Sequence, residues 1–127
     1  MKVFIAALSI SMIIISCSKK EEFSTCQKFD ALDLEMNQLY NQVTLDYADS
    51  LKFLKRLKRS QIYWIQYRDA QIKALYPDDK ERYGASYSEC KCQLYLDFTE
   101  RRIKELSVWI EGVPEKRDCL NSVKMKK

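Results

Sequence analysis

Three stretches of apolar side chains at helical spacing fill most of the chain beyond residue 23 and leave it little choice of fold. The first runs through Phe29, Leu32, Met36, Leu39, Tyr40, Val43 and Tyr47 as one stripe. It opens at Ser24-Thr25-Cys26-Gln27, where Ser and Gln three apart form a capping box. Asp49-Ser50 supplies a cap for a second helix, whose inward candidates are Leu51, Leu54, Leu57, Gln61, Trp64, Ile65, Arg68, Ile72 and Leu75; Pro77 ends it. A third helix starts near Ser86, with Glu89 completing a second capping box. It runs through Leu94, Tyr95, Phe98, Ile103, Leu106 and Trp109 to Gly112 and Pro114. Helices of roughly 20 to 25 residues span about 30 to 38 Å, so the three can lie alongside one another. The economical packing is all-α, a small antiparallel three-helix bundle.

Composition narrows the chemistry. The chain has 127 residues, no His, two Gly, two Pro and five Cys. Without imidazole there is no His general base, no Ser-His or Cys-His nucleophile pair and no His-containing zinc set. Two isolated glycines, Gly84 and Gly112, cannot write a G-x-G-x-x-G turn or a phosphate-cradling loop. These exclusions point to a binding or structural protein rather than an enzyme, with no metal, no cofactor and no small-molecule substrate. Adjacent carboxylates such as Asp78 and Asp79 are the remaining enzyme-like feature, and adjacent loop acids are ordinarily solvated.

Residues 1–16 read as a targeting segment. Lys2 is a short positive n-region, and Val3 to Ser16 is an apolar run shorter than the roughly 20 residues that span a bilayer as a helix. Ile14-Ile15-Ser16-Cys17 resembles a bacterial lipobox, in which cleavage precedes the Cys and its sulfur carries a diacylglycerol. Cys17 is therefore the expected lipidation site, and residues 17–23 the lipidated Cys and its tether. Ser18-Lys19-Lys20-Glu21-Glu22 is also similar to the Lys-plus-acid export signal of bacterial surface lipoproteins. The expected location is the bacterial cell envelope, membrane-bound by the lipid anchor alone, in either the periplasmic or the surface-exposed leaflet. The folded domain is then residues 24–127.

An oxidising compartment gives the remaining cysteines a role. Cys26, Cys90, Cys92 and Cys119 are an even set that suits two disulfides. A C-x-C pair with two remote thiols and no His is a poor zinc pattern. Cys90 and Cys92 are too close to pair, which leaves Cys26 with one of them and Cys119 with the other. In an up-down-up bundle Cys26 and the Cys90/Cys92 pair share one end, whereas Cys119 has a long way to return from Gly112.

Charge is segregated along the chain. From Glu21 to Asp49 seven acids face one base, Lys28. From Ser50 to Arg68 there are six bases, Lys52, Lys55, Arg56, Lys58, Arg59 and Arg68, and no acid. Adjacent helices of opposite sign are expected to neutralise each other and guide register. The free faces offer an alternative, in which the basic stretch meets an anionic surface and the acidic helix a cationic protein. Nucleic acid is not an expected partner outside the cell.

Leu34-Glu35-Met36-Asn37-Gln38-Leu39-Tyr40, then Gln61-Ile62-Tyr63-Trp64-Ile65-Gln66-Tyr67-Arg68-Asp69-Ala70, then Thr99-Glu100-Arg101-Arg102 resembles the LprI-type lysozyme-inhibitor family. That family is small, helical and secreted or lipid-anchored in bacteria. Its pattern matches at Asn37, Tyr40, Gln61, Trp64, Arg68, Asp69, Thr99 and Arg102. Two positions depart from it: Ile72 and Leu94 stand where the family commonly carries Cys, which leaves the disulfide pattern open. The resemblance implies a helical binding module whose partner is lysozyme. The alternative is a structural or interaction lipoprotein that binds another envelope protein or an anionic surface without inhibiting lysozyme.

The same residues can be read without the family. Arg68 falls on the apolar face of the second helix, where a guanidinium needs a carboxylate, with Glu35, Asp69 and Glu105 as candidates. A buried network joining Asn37, Gln61, Arg68 and Arg102 would fix helix register, and Trp64 and Tyr40 read as core anchors. The loop from Pro77 to Gly84 is the natural exposed contact surface, and its Lys80, Arg82 and Tyr83 could reach the paired carboxylates of a lysozyme cleft.

Overall fold

The computed structural model describes residues 23–112 together with Val123 and Met125. The targeting segment, Cys17 and Cys119 lie outside the described residues. Three helices occur in the expected order: α1 (Thr25–Asp46), α2 (Leu51–Leu75) and α3 (Tyr87–Glu111), with a one-turn 3-10 helix at Lys80–Tyr83. At 1.5 Å per residue they are about 33, 38 and 38 Å long. No helix among the described residues is long and apolar enough to cross a membrane.

Local signals set the first boundary as the sequence suggests. The Ser24 hydroxyl accepts from the Gln27 amide at 3.3 Å, and the Ser24 amide donates to Gln27 Oε1 at 2.9 Å, closing the capping box. The other two caps differ from expectation. Ser50 and Ser86 hold the N-cap positions of α2 and α3, but neither side chain bonds the helix. Glu89 reaches across to take the Thr25 hydroxyl on α1 instead of closing its own box. Tertiary contact has diverted a side chain that local rules assign to its own helix. Gly84, at φ +73, closes the 3-10 turn in a conformation that a Cβ would strain.

The bundle is up-down-up, so α1 and α3 run parallel and α2 runs against both. The α1 and α3 backbones approach each other along much of their length, whereas α2 meets α3 at fewer places and is joined to its neighbours by large side chains. The main core cluster is Met36, Val43, Tyr47, Leu57 and Leu106, surrounded by Leu39, Tyr40, Phe53, Leu54, Trp64, Ile103, Trp109 and Ile110. Leu51, Ile65 and Leu75, expected inside, are exposed. They sit at the ends and flank of the α2 stripe, where no neighbouring helix reaches.

Each end of the bundle has its own fastening. Where α1 turns into α2, the rings of Tyr47, Phe53 and Trp109 contact one another at centroid distances of 4.7 to 5.9 Å, and the Tyr47 hydroxyl donates to the Trp109 carbonyl at 2.9 Å. At the opposite end Cys26 and Cys92 form a disulfide between α1 and α3, beside a Phe29–Tyr95 ring contact. Cys90, expected in a bridge, is a free and exposed thiol. Residues two apart on a helix lie about 200° apart around its axis, so once Cys92 faces α1 its neighbour Cys90 must face away.

The Cys26–Cys92 bridge closes a 66-residue separation. Chain-entropy scaling gives it about 4 kcal/mol of stabilisation. Cys26→Ser is expected to lower the urea-unfolding free energy by roughly that amount, while Cys90→Ser leaves it unchanged. Peptide mapping after thiol alkylation without reductant should find Cys90 labelled and Cys26 and Cys92 protected.

Candidate functional site

The inward line of α2 is Leu57, Gln61, Trp64, Arg68 and Ile72, one residue per turn. Apolar side chains close both ends, but its middle is an amide, an indole and a guanidinium. Polar groups buried there must find partners, and these come from the neighbouring helices as well as from α2 itself.

Arg68 lies over the Trp64 ring at 5.1 Å and the Tyr95 ring of α3 at 4.9 Å. Its Nε donates to Asp69 Oδ1 at 2.9 Å, and its Nη1 sits 3.9 Å from Asp33 Oδ1 on α1. Arg102 of α3 lies over the same Trp64 ring at 5.7 Å. Each of its three nitrogens has a partner: Nε donates to Gln61 Oε1 at 2.9 Å, Nη1 to Glu105 Oε2 at 2.8 Å and Nη2 to Ser60 Oγ at 3.1 Å. The Gln61 amide nitrogen in turn points at Met36 Sδ on α1, 3.7 Å away. Only a planar guanidinium can stack on an indole and serve three separate acceptors at once, so Lys would not replace Arg at 102.

Asn37 is exposed, not part of a buried cluster. Its amide donates to the Asp33 carbonyl at 2.9 Å and to Asp33 Oδ2 at 3.2 Å, which steadies the carboxylate that faces Arg68. The residues of the expected network therefore connect through groups outside it: Asp33 between Asn37 and Arg68, and the Trp64 ring between Arg68 and Arg102. Of the three acids expected near Arg68, Asp69 bonds it, Glu105 belongs to Arg102, and Glu35 is exposed on α1. Tyr40 is half-buried against the core. Thr99 is 0 % exposed, and its hydroxyl has no hydrogen-bond partner.

This constellation spans the three helices, and a family comparison picks out the same stretch of chain. The family model described as lysozyme inhibitor LprI matches residues 17–106. The chain belongs to the LprI family. No curated protein and no solved structure matches it significantly. All eight positions carrying the LprI resemblance lie inside the matched span, and Gln61, Trp64, Arg68, Thr99 and Arg102 are at least half-buried between helices. The family description is that of a lysozyme inhibitor, and most of the signature ties the helices of this chain together.

The α2–α3 connection is more ordered than a loop. Tyr76, Tyr83 and Tyr87 form a cluster with centroid distances of 5.0 to 5.4 Å. The Asp78 amide donates to the Tyr83 hydroxyl at 2.7 Å. Tyr83, expected as an exposed contact, is half-buried and pins the turn from beneath. Lys80 and Arg82 stand exposed on it, with Arg82 3.7 Å from Asp78 in a solvated pair. No cluster of His, Cys, Asp and Glu suited to a metal ion occurs among the described residues.

Thr99→Val tests the interior directly. Removing a buried hydroxyl without a partner, at nearly constant shape, is expected to raise the unfolding free energy by about 1 kcal/mol. A loss of stability in urea titrations would mean that the hydroxyl is bonded in solution.

Proposed function

We propose that this LprI-family chain is a lipid-anchored envelope protein that binds lysozyme and blocks its cleft with the α2–α3 connection. The LprI match carries the reading. In this account residues 1–16 are removed, Cys17 is acylated, residues 18–23 tether the domain, and the domain extends from Ser24 through the C-terminal segment.

Lysozyme acts through two carboxyl groups in a deep cleft, so an inhibitor needs a protruding element that supplies hydrogen-bond donors. Lys80 and Arg82 supply them on a turn that Tyr76, Tyr83 and Tyr87 hold in place. A turn already ordered before binding loses little entropy on docking. The Arg82–Asp78 pair is open to solvent and weak, so the guanidinium can exchange that carboxylate for one in the partner. Charge on the whole chain contributes no attraction to a cationic lysozyme, and recognition rests on local fit.

The test is to titrate chain Ser18–Lys127 against chicken-type, goose-type and invertebrate-type lysozymes while following cell-wall lysis. Stoichiometric inhibition of one class is expected. The double variant Lys80→Ala, Arg82→Ala should need on the order of tenfold more protein for the same effect, with its helical circular dichroism unchanged. Full inhibition by that variant would place the contact elsewhere, and no inhibition of any class would end the lysozyme reading.

A further inference from the structure

The expected neutralisation between α1 and α2 is almost absent. Among the described residues one ion pair links an α2 cation to α1, Arg68 with Asp33. Lys52, Lys55, Arg56, Lys58 and Arg59 form no salt bridge there, and all five are exposed. Helical phase explains this. At 100° per residue the five fall within an arc of about 160° centred opposite the inward line of Leu57, Gln61, Trp64 and Arg68. They point away from the side of α2 that faces the bundle.

The arrangement works against the helix itself. Lys52/Arg56 and Lys55/Arg59 are like-charge pairs at i,i+4, and Lys52/Lys55, Lys55/Lys58 and Arg56/Arg59 add three more at i,i+3. The stripe also begins at the positive end of the helix dipole, with no acid in the first turn to offset it. Among the described residues no salt bridge offsets this repulsion, so the field is directed outward.

Apolar side chains share the same arc. Leu51 is 76 % exposed, and Ile62 and Tyr63 are exposed beside the cations, with Arg59 Nε held by the Tyr63 hydroxyl at 3.0 Å. Across the α1–α2 turn Leu45 is 70 % exposed. This face belongs to a single helix and mixes flexible lysines with projecting aliphatic groups. It matches the boundary between anionic headgroups and acyl chains, where cations meet phosphate and aliphatic side chains enter the hydrocarbon.

We infer that the outward face of α2, from Leu51 to Tyr63, docks on an anionic phospholipid surface. This surface is separate from the α2–α3 connection and independent of the lysozyme reading. It gives the domain a fixed orientation on the membrane.

Unacylated chain Ser18–Lys127, which contains every described helix, would be sedimented with phosphatidylglycerol/phosphatidylethanolamine vesicles and with phosphatidylcholine vesicles. Binding to the first only, weakening as added salt shortens the screening length, is expected. The triple variant Lys52→Gln, Lys55→Gln, Lys58→Gln should lower the partition coefficient on the order of a hundredfold. The charge-matched triple Lys28→Gln, Lys80→Gln, Lys104→Gln should retain most of the binding. Both triples should keep wild-type helicity, since every substituted residue is exposed. Three results would overturn the inference: no vesicle binding by the wild type, equal loss in the two triples, or equal binding to soluble polyglutamate.

Discussion

Two guanidinium groups lie over one indole at the centre of this bundle, and the seating of α2 against its neighbours depends on that stack. Trp64 comes from α2, Arg68 from one turn further along it and Arg102 from α3. Each cation–π contact contributes ~0.5 to 2 kcal/mol depending on desolvation. The hydrogen bonds raise its importance. With Arg102 8 % exposed and its Nε bonded to buried Gln61, removal of Gln61 leaves a polar group in a site that water reaches poorly, whereas Ser60 and Glu105 meet it from the exposed side. The α2 backbone meets α3 at few places, so these side chains and the ring cluster of Tyr47, Phe53 and Trp109 span the gap.

A division of labour follows. The residues that mark the family are mostly committed to the interior, where Gln61, Trp64, Arg68 and Arg102 fix how far apart and in what register the helices stand. Surfaces that can meet other molecules are built from different residues: a tyrosine-backed turn carrying Lys80 and Arg82, and a cationic outward face on α2. A shared family scaffold can therefore present changed surfaces without altering how the helices join. The disulfide reinforces the end where α1 and α3 begin and leaves the two surfaces untouched.

Much of this was legible in the sequence, for identifiable reasons. Three apolar stripes and Pro77 are enough to fix three helices, and Ser24 with Gln27 marks the first start because both partners lie within one turn. The choice between Cys90 and Cys92 required the rotational phase of α3, which no local signal sets. Glu89 left its own helix for Thr25, and Asp33 came to Arg68 from another helix; both are tertiary choices. The charge segregation is visible in the sequence, but its consequence depends on angle around the helix. Counting acids and bases suggested neutralisation, whereas the angular positions of Lys52 to Arg59 direct them away from α1. Tyr83 looked like a contact residue because its loop is polar, yet Tyr76 and Tyr87 draw it inward.

The most direct test of the central stack is a double-mutant cycle between Trp64 and Arg102, using Trp64→Leu, Arg102→Met and the double variant in urea unfolding. If the guanidinium and the indole support each other, the two losses will fail to add, with a coupling of about 1 to 2 kcal/mol. Additivity within about 0.5 kcal/mol would show that the two side chains act independently, and the account of how α2 is held would be wrong.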